Sequence, residues 1–330
     1  MLSAHVATKL ERSGYRVVVT GAGGWIGSAT LELLHKCLGA EDFARRVVAI
    51  GSSNRTLSLR DGVEVEQRPL AEIGALGSDP TLLLHLAFLT KDRAEEMDEE
   101  DYVRANRALS QTVLDALSAI GTQGVFVASS GAAYSAQDPA APPAMRLYGA
   151  LKKADEEAFS AWAETAGKPA VIARIFNLAG PYINKHTSYA LASFILDALA
   201  RQPIEVRATN RVVRGYVAVR ELMSLVFALL LEGRPGRIQF DTGGEAMEMQ
   251  AVAEAVASFL GPVAINRPSL TSDAANEYVG DAAGYAALLA ERGIEPVTFE
   301  QQIAETAEFL NHSQAAGWMR QEQRDSALDA

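Results

Sequence analysis

The sequence predicts a doubly wound parallel α/β sheet joined to a smaller α+β lobe, and three observations carry that prediction. Short β-branched runs alternate with longer stretches of helical spacing from about residue 15 to about residue 180. The first run, VVVT at 17–20, breaks into four glycines in seven positions and then resumes as a helix pattern. After about residue 180 the alternation loosens into short strands and separated helices.

Taken in order, YRVVVT, RVVAI, VEVEQ, TLLLHLA, GVFVAS and AVIARI read as strands. Helices are predicted from near Ser28, over 98–119 and over 147–166. Parallel strands joined through helices need right-handed crossovers, which cover both sheet faces and explain the nearly continuous apolar runs. The acidic stretch DRAEEMDEED at 92–101 reads as a solvated loop and helix start. Farther on, a helix at 189–200 is followed by short strands around IEV, RVV and YVAV, then helices at 222–231, 249–260, 281–292 and 299–310. The polar tail beyond Asn311 is expected to fray. The expected organisation is a first domain over 1–180, to which 212–245 partly returns, and an interleaved second lobe over 181–330.

A chain of 330 residues, 48% hydrophobic and 22% charged, can bury a core of that size. Its net charge of −11 and sequence pI near 5.1 argue against nucleic acid or an anionic membrane as partner. Cys37 is the single cysteine, so no intramolecular disulfide forms and its expected role is a small buried hydrophobe; no metal site is expected. The opening MLSAHVATKLERSG lacks an apolar core, and no later run approaches spanning length; a soluble cytoplasmic protein is expected.

Gly21, Gly24 and Gly27 are spaced G-x-x-G-x-x-G between a strand and a helix. Glycines there permit a tight turn and let a pyrophosphate approach the backbone, while the helix N-terminus supplies amide donors. Trp25 reads as a packing residue under the turn.

TGAGGWIG at 20–27 is the first of an ordered series that continues with HLA at 85–87, Asn106 and SSGAAY at 129–134. YGALK at 148–152, RIFNLAGP at 174–181 and RGYVAV at 214–219 complete it. Over nearly its whole length the sequence resembles the extended short-chain dehydrogenases/reductases, the NAD(P)-dependent epimerase/dehydratase group. The resemblance implies a Rossmann-type fold, a nicotinamide cofactor, a nucleotide-activated sugar as substrate and a homodimer through sheet-flanking helices. It also implies cofactor contacts at Gly21, Gly24, Trp25, Ile26, Gly27, Leu86 and Ala87.

Tyr148 and Lys152 lie one turn apart on one helix face. A free tyrosine has a pKa near 10, and a neighbouring ammonium favours its phenolate. By resemblance Tyr148 is the general acid/base, and Lys152 also holds the nicotinamide ribose. Ser130 stands where the family carries its catalytic hydroxyl, with Ser129 as rival. Asn106 either anchors a proton-relay water or caps backbone groups. Asn177 and Arg214 are expected on a nucleoside diphosphate, Arg214 by forked hydrogen bonds, with Lys185 adding charge. His186 reads equally as a polar loop residue or as a substrate contact or second acid/base. His85, in an apolar strand, reads as structural.

Several positions depart from the family. The 4,6-dehydratases carry an acidic pair after the catalytic Ser or Thr, where this chain has Gly131 and Ala132, so dehydration is disfavoured. The family's D-Y-V-H-V reads Gly215 to Val219 as GYVAV, and the usual acid after the third strand is replaced within QRPL. NAD-specific relatives end the second strand with a carboxylate on the ribose hydroxyls. Here that place is Gly51, followed by Ser52, Ser53, Asn54 and Arg55, which favours NADP, with NAD as the alternative. The expected function is hydride transfer on a nucleotide-activated sugar by a keto-sugar reductase or an epimerase. The alternatives are an NADPH-dependent reductase of a non-sugar carbonyl compound and a non-catalytic dinucleotide sensor.

Overall fold

The computed structural model describes residues 1–186 and 188–315. Along the chain, helix α1 (Ala4–Ser13) leads into strand β1 (Arg16–Thr20), helix α2 (Trp25–Arg46) and strands β2 (Val47–Gly51), β3 (Arg55–Ser58) and β4 (Glu64–Pro69). Strand β5 (Thr81–His85), helices α3 (Lys91–Glu96) and α4 (Glu99–Ala116), strand β6 (Thr122–Ser130), helix α5 (Pro143–Ala166) and strands β7 (Pro169–Ile175) and β8 (Asn177–Ala179) follow. The remainder is α6 (Ala190–Leu199), β9 (Ile204–Glu205), β10 (Asn210–Ala218), α7 (Val219–Glu232), β11 (Gly236–Asp241) and β12 (Ala246–Glu248). Then come α8 (Met249–Leu260), β13 (Ile265–Asn266), β14 (Ser272–Tyr278), α9 (Ala282–Glu291) and α10 (Phe299–Ala315).

Two compact units emerge. The first is Met1–Phe176, Arg220–Gly244 and Gly280–Pro296; the second is Asn177–Val219, Glu245–Val279 and the chain from Val297. The first unit holds an eight-stranded sheet in the order β11-β7-β6-β5-β1-β2-β4-β3. Every neighbouring pair is parallel except β3 with β4. The chain runs outward from β1 through β2 to β4 and then returns to the other side of β1 as β5. That reversal opens a crevice beyond the carboxyl ends of β1 and β5, where ligands bind in such sheets.

Val17, Val18 and Val19, Leu83 and Leu84, and Val125 and Phe126 are fully buried, as a sheet covered on both faces demands. Val113, Leu117 and Ile120 cover one face together with Phe159 and Ala163. Fully burying a side chain of this kind contributes about 1.5–3 kcal/mol, which makes these runs the main source of stability.

The elements differ from the sequence pattern in several places. Helix α1 was not expected, because it buries only Val6 and Leu10 and its pattern is too sparse to read. Arg46 reaches back from α2 and donates to the carbonyls of Leu10, Glu11 and Tyr15, satisfying the end of that helix. The acidic run at 92–101 forms α3 and the first turn of α4, with the Asp98 carboxylate accepting from Glu100 N–H. RVV and YVAV join into the single strand β10. Helix α10 continues past Asn311 to Ala315, and the rest of the tail expected to fray lies outside the described residues.

The second unit is built on β10. It pairs antiparallel with β12 and parallel with β14, and its last residues pair with β8.

Candidate active site

The turn after β1 shows what each glycine does. Gly21 has φ +66°, and a Cβ there would sit 2.8 Å from the Ala87 nitrogen and the Leu86 carbonyl carbon. A Cβ at Gly27 would overlap the carbonyls of Gly21 and Ala22, so glycine lets α2 begin directly under the turn. Gly24, exposed, stands at the head of α2 and donates its N–H to Gly21 O. Trp25 and Ile26 are the first helical residues, and both are half-buried. Helix α2 therefore points amide donors and its positive dipole end at the crevice. The N–H groups of Leu86 and Ala87 both donate to Thr20 Oγ1 at 3.2 and 3.3 Å, locking the end of β5 against that of β1.

A cavity of about 260 Å³ opens here, lined by Gly21, Gly24, Ser52, Arg55, Gln67 and Phe88 among others. Its far end holds two arrangements the sequence did not disclose. Gln67 is buried, and its Nε2 donates to Ser53 O at 2.9 Å. A Cβ at Gly51 would overlap the Gln67 carboxamide, and one at Gly23 would overlap the Arg55 guanidinium. Arg55 thus folds over the glycine turn and makes no ion pair among the described residues. Gln67 was signalled only by its place on the buried face of β4 beside Val65. Ser53 and Asn54 are exposed in the loop between β2 and β3.

Beyond the carboxyl end of β6, Gly149 seats α5 on the turn that follows that strand, because a Cβ there would overlap the Ala132 carbonyl. That close approach brings Tyr148 beside the Ser130 turn. Ser130 Oγ accepts from Ala132 N–H at 3.2 Å. The rival Ser129 donates to Glu156 at 2.5 Å, and Glu156 also takes a forked pair from Arg174. Ser129 is thereby committed to a buried ionic network.

Lys152 is buried, donates to Ala128 O at 2.8 Å and places its Nζ 3.6 Å from the Phe88 ring centre. Phe88 meets the Tyr148 ring edge-on at 5.6 Å, so one aromatic side chain bridges the two residues. Burial pulls the Lys152 ammonium down to about 8 against the opposing pull of Asp155 and Glu156. Phe88 was not singled out in the sequence; the signal available was a large aromatic directly after HLA.

Asn106 is fully engaged with main chain. Its Oδ1 accepts from Leu89 N–H at 2.8 Å and its Nδ2 donates to Tyr102 O at 3.3 Å, while Tyr102 Oη donates to Leu89 O. Helix α4 thus holds Leu89 through both its N–H and its carbonyl. His85 shares a hydrogen bond with Thr20 and stacks on Phe159, as a structural histidine should. Burial, and then the charge of Lys152, depress it to about 3. The glycine cradle and the amide donors at the head of α2 fit a dinucleotide. Among the described residues no cluster of metal-ligating side chains occurs, and no helix is long and apolar enough to cross a membrane.

In the second unit, Asn177 Nδ2 donates to Gly215 O and Tyr278 O, sewing β8 and β14 to β10. Arg214 lies two residues from the strand partner of Asn177, so these two share one patch. Arg214 donates to the carbonyls of Val213 and Asn276 and is half-buried, with no carboxylate in ion-pair range among the described residues. Lys185 is exposed at φ +53°, and His186 is half-buried with Nε2 shielded from solvent.

The chain is 24% identical over 291 residues to the "Probable UDP-glucuronate 4-epimerase" of Rhizobium meliloti, covering 76% of this chain and 84% of that protein. It is 32% identical over 110 residues to the "Probable dTDP-glucose 4,6-dehydratase" of Sinorhizobium fredii, a match spanning 33% of this chain and 29% of that protein. A UDP-glucose 4-epimerase of Thermus thermophilus in complex with NAD superposes with a TM-score of 0.65 at 24% identity, covering 90% of this chain and 99% of that one. That likeness establishes the fold. The region from β1 to β11, carrying the glycine turn and the Tyr148–Lys152 pair, matches the NAD dependent epimerase/dehydratase family over residues 17–240. The chain belongs to that family.

Proposed function

We propose that the protein is an NADP-dependent enzyme that oxidises or reduces a carbinol or ketone carbon of a nucleotide-activated sugar, as a keto-sugar reductase or an epimerase. The observation that carries this reading is the seating of α5 at Gly149, which holds Tyr148 beside the Ser130 turn with Lys152 one helical turn away. When bound, the nicotinamide supplies the acceptor or donor of hydride. Tyr148 takes or gives the proton at its Oη, Ser130 hydrogen-bonds the reacting oxygen, and the buried Lys152 charge favours the phenolate.

In this reading the first unit holds the dinucleotide and the second the sugar nucleotide. Arg214, half-buried and charged without a carboxylate partner among the described residues, supports a phosphate contact. Asn177 shapes the strand pair carrying it, and Lys185 and His186 belong to the same substrate side. A homodimer comes with the family resemblance, and a cytoplasmic location with the reading of the sequence alone.

A dehydratase is disfavoured on packing as well as composition. A Cβ at Gly131 would lie 2.5 Å from the Phe176 ring, so the position where dehydratases carry the first acid has no room for one.

The test is thermal stabilisation by dinucleotides and by a panel of UDP- and dTDP-sugars, followed by turnover with and without added NADPH. Ligands stabilise the state they bind, by about 2.7 kcal/mol at a hundredfold excess over Kd. Stabilisation by a dinucleotide and by at least one nucleotide sugar is expected. Net NADPH oxidation identifies the reductase, and sugar interconversion without it the epimerase. Stabilisation by dinucleotides with no response to any nucleotide sugar overturns the substrate assignment.

A further inference from the structure

We propose that Gln67 is the positioning residue that sets which dinucleotide this chain accepts. The proposal rests on the reading of the cavity beside the glycine turn as a dinucleotide site, and extends it to a residue outside the glycine turn and the loop after β2.

Strand register puts Gln67 beside Ala49, two residues before Gly51 on the neighbouring parallel strand. Side chains at 49, 51 and 67 therefore share one sheet face, and a long side chain at 67 leans toward the carboxyl end of β2. That is where it lies. Its carboxamide occupies the volume that any side chain at 51 needs, and its Oε1 lies 3.2 Å from where a Cβ on Gly23 would be. The carboxamide is thus wedged between two residues that lack side chains, Gly51 and Gly23. Its Nε2 ties down the loop after β2 through Ser53 O, and its buried Oε1 has no hydrogen-bond partner among the described residues. The Arg55 guanidinium crowds the same face of Gly23. An unsatisfied carbonyl dipole at that point favours keeping the cation there. Gln67 therefore does two things at once. It excludes the carboxylate that would select NAD, and it fixes the loop that presents Arg55 to a 2′-phosphate.

Substitutions at positions 51 and 67 are expected to be non-additive. Four proteins are compared: the unmodified chain, Gly51→Asp, Gln67→Ala and the double variant. Each is titrated with NADP⁺ and NAD⁺ and melted without ligand. The unmodified chain is expected to prefer NADP⁺. Gln67→Ala should lower that preference about three- to tenfold, the worth of one neutral hydrogen bond. Gly51→Asp alone should melt lower than the unmodified chain and gain no NAD⁺ affinity. The double variant should melt above Gly51→Asp and bind NAD⁺ at least about tenfold more tightly than it does.

Gly51→Asp gaining NAD⁺ affinity unaided overturns the proposal, as does a double variant no more stable than Gly51→Asp. An unmodified chain that binds neither dinucleotide overturns the reading of the cavity, and the proposal with it. A chain that binds both equally, with Gln67→Ala changing neither, overturns the role of Gln67 alone.

Discussion

The glycine turn after β1 and the surroundings of the turn after β6 are built on opposite plans. Around the turn after β6 the polar groups already have partners: Lys152 on Ala128 O and Phe88, Ser130 on Ala132, and Asn106 on Leu89 and Tyr102. At the glycine turn the backbone lacks side chains at Gly21, Gly23, Gly24 and Gly51, the Gln67 carboxamide packs against Gly51 and the Arg55 guanidinium against Gly23, and Arg55 makes no ion pair among the described residues. In the proposed function this crowded, fixed side is the reacting end, because chemistry needs groups held in one geometry before substrate arrives. In the proposed function the glycine side, where the cavity leaves an open end, receives the dinucleotide, because recognition of a phosphate needs backbone access and an available cation. Substitution of Tyr148 or Ser130 should change rate with little effect on dinucleotide affinity, substitution of Arg55 should do the reverse, and substitution of Lys152, expected also on the nicotinamide ribose, should change both.

The largest expected effect is at the reacting end. Tyr148→Phe should lower turnover about 10²–10⁴-fold while leaving NADP⁺ affinity within about twofold, because one proton-transfer oxygen is lost and the packing against Phe88 remains. Steady-state rates and a dinucleotide titration on the same preparation check it; turnover near that of the unmodified chain removes Tyr148 from the chemistry. Next comes Arg55→Ala at the open end, which should weaken NADP⁺ about ten- to a hundredfold and barely touch NAD⁺, with turnover at saturating NADP⁺ unchanged. Equal losses for the two dinucleotides would mean that Arg55 does not read the 2′-phosphate.

The smallest effect sharpens the contrast through pH. His85 is held to about 3 against an ordinary value of 6.5, so the unfolded chain binds the proton first. The stability linked to neutral His85 is complete above about pH 6.5 and is lost as pH falls toward about 3. By pH 5.5 the loss is about 1.4 kcal/mol. Denaturant melts of the unmodified chain and of His85→Asn, at pH 7.5 and 5.5, measure it. The variant should show a flatter dependence, and identical slopes would show that another group dominates the acid side.

The sequence by itself determined what backbone periodicity controls. The parallel strands, the strand–glycine–helix turn and the Tyr148–Lys152 pair depend on spacings of two to six residues, and helix and strand geometry convert such spacings directly into shared faces. Tertiary structure alone decided which side chain fills the space beside each glycine and which polar group receives which partner. Gly51 answers to Gln67, Gly131 to Phe176 and Gly149 to the Ala132 carbonyl. Ser129 was set apart from Ser130 by Glu156 on α5, and Asn106 was drawn to main chain by the path of the loop after β5. In each case the partner lies well over ten residues away along the chain, so no local pattern carries it. A close-packed interior lets one side chain fill each space, and strand register and helix seating decide which one arrives.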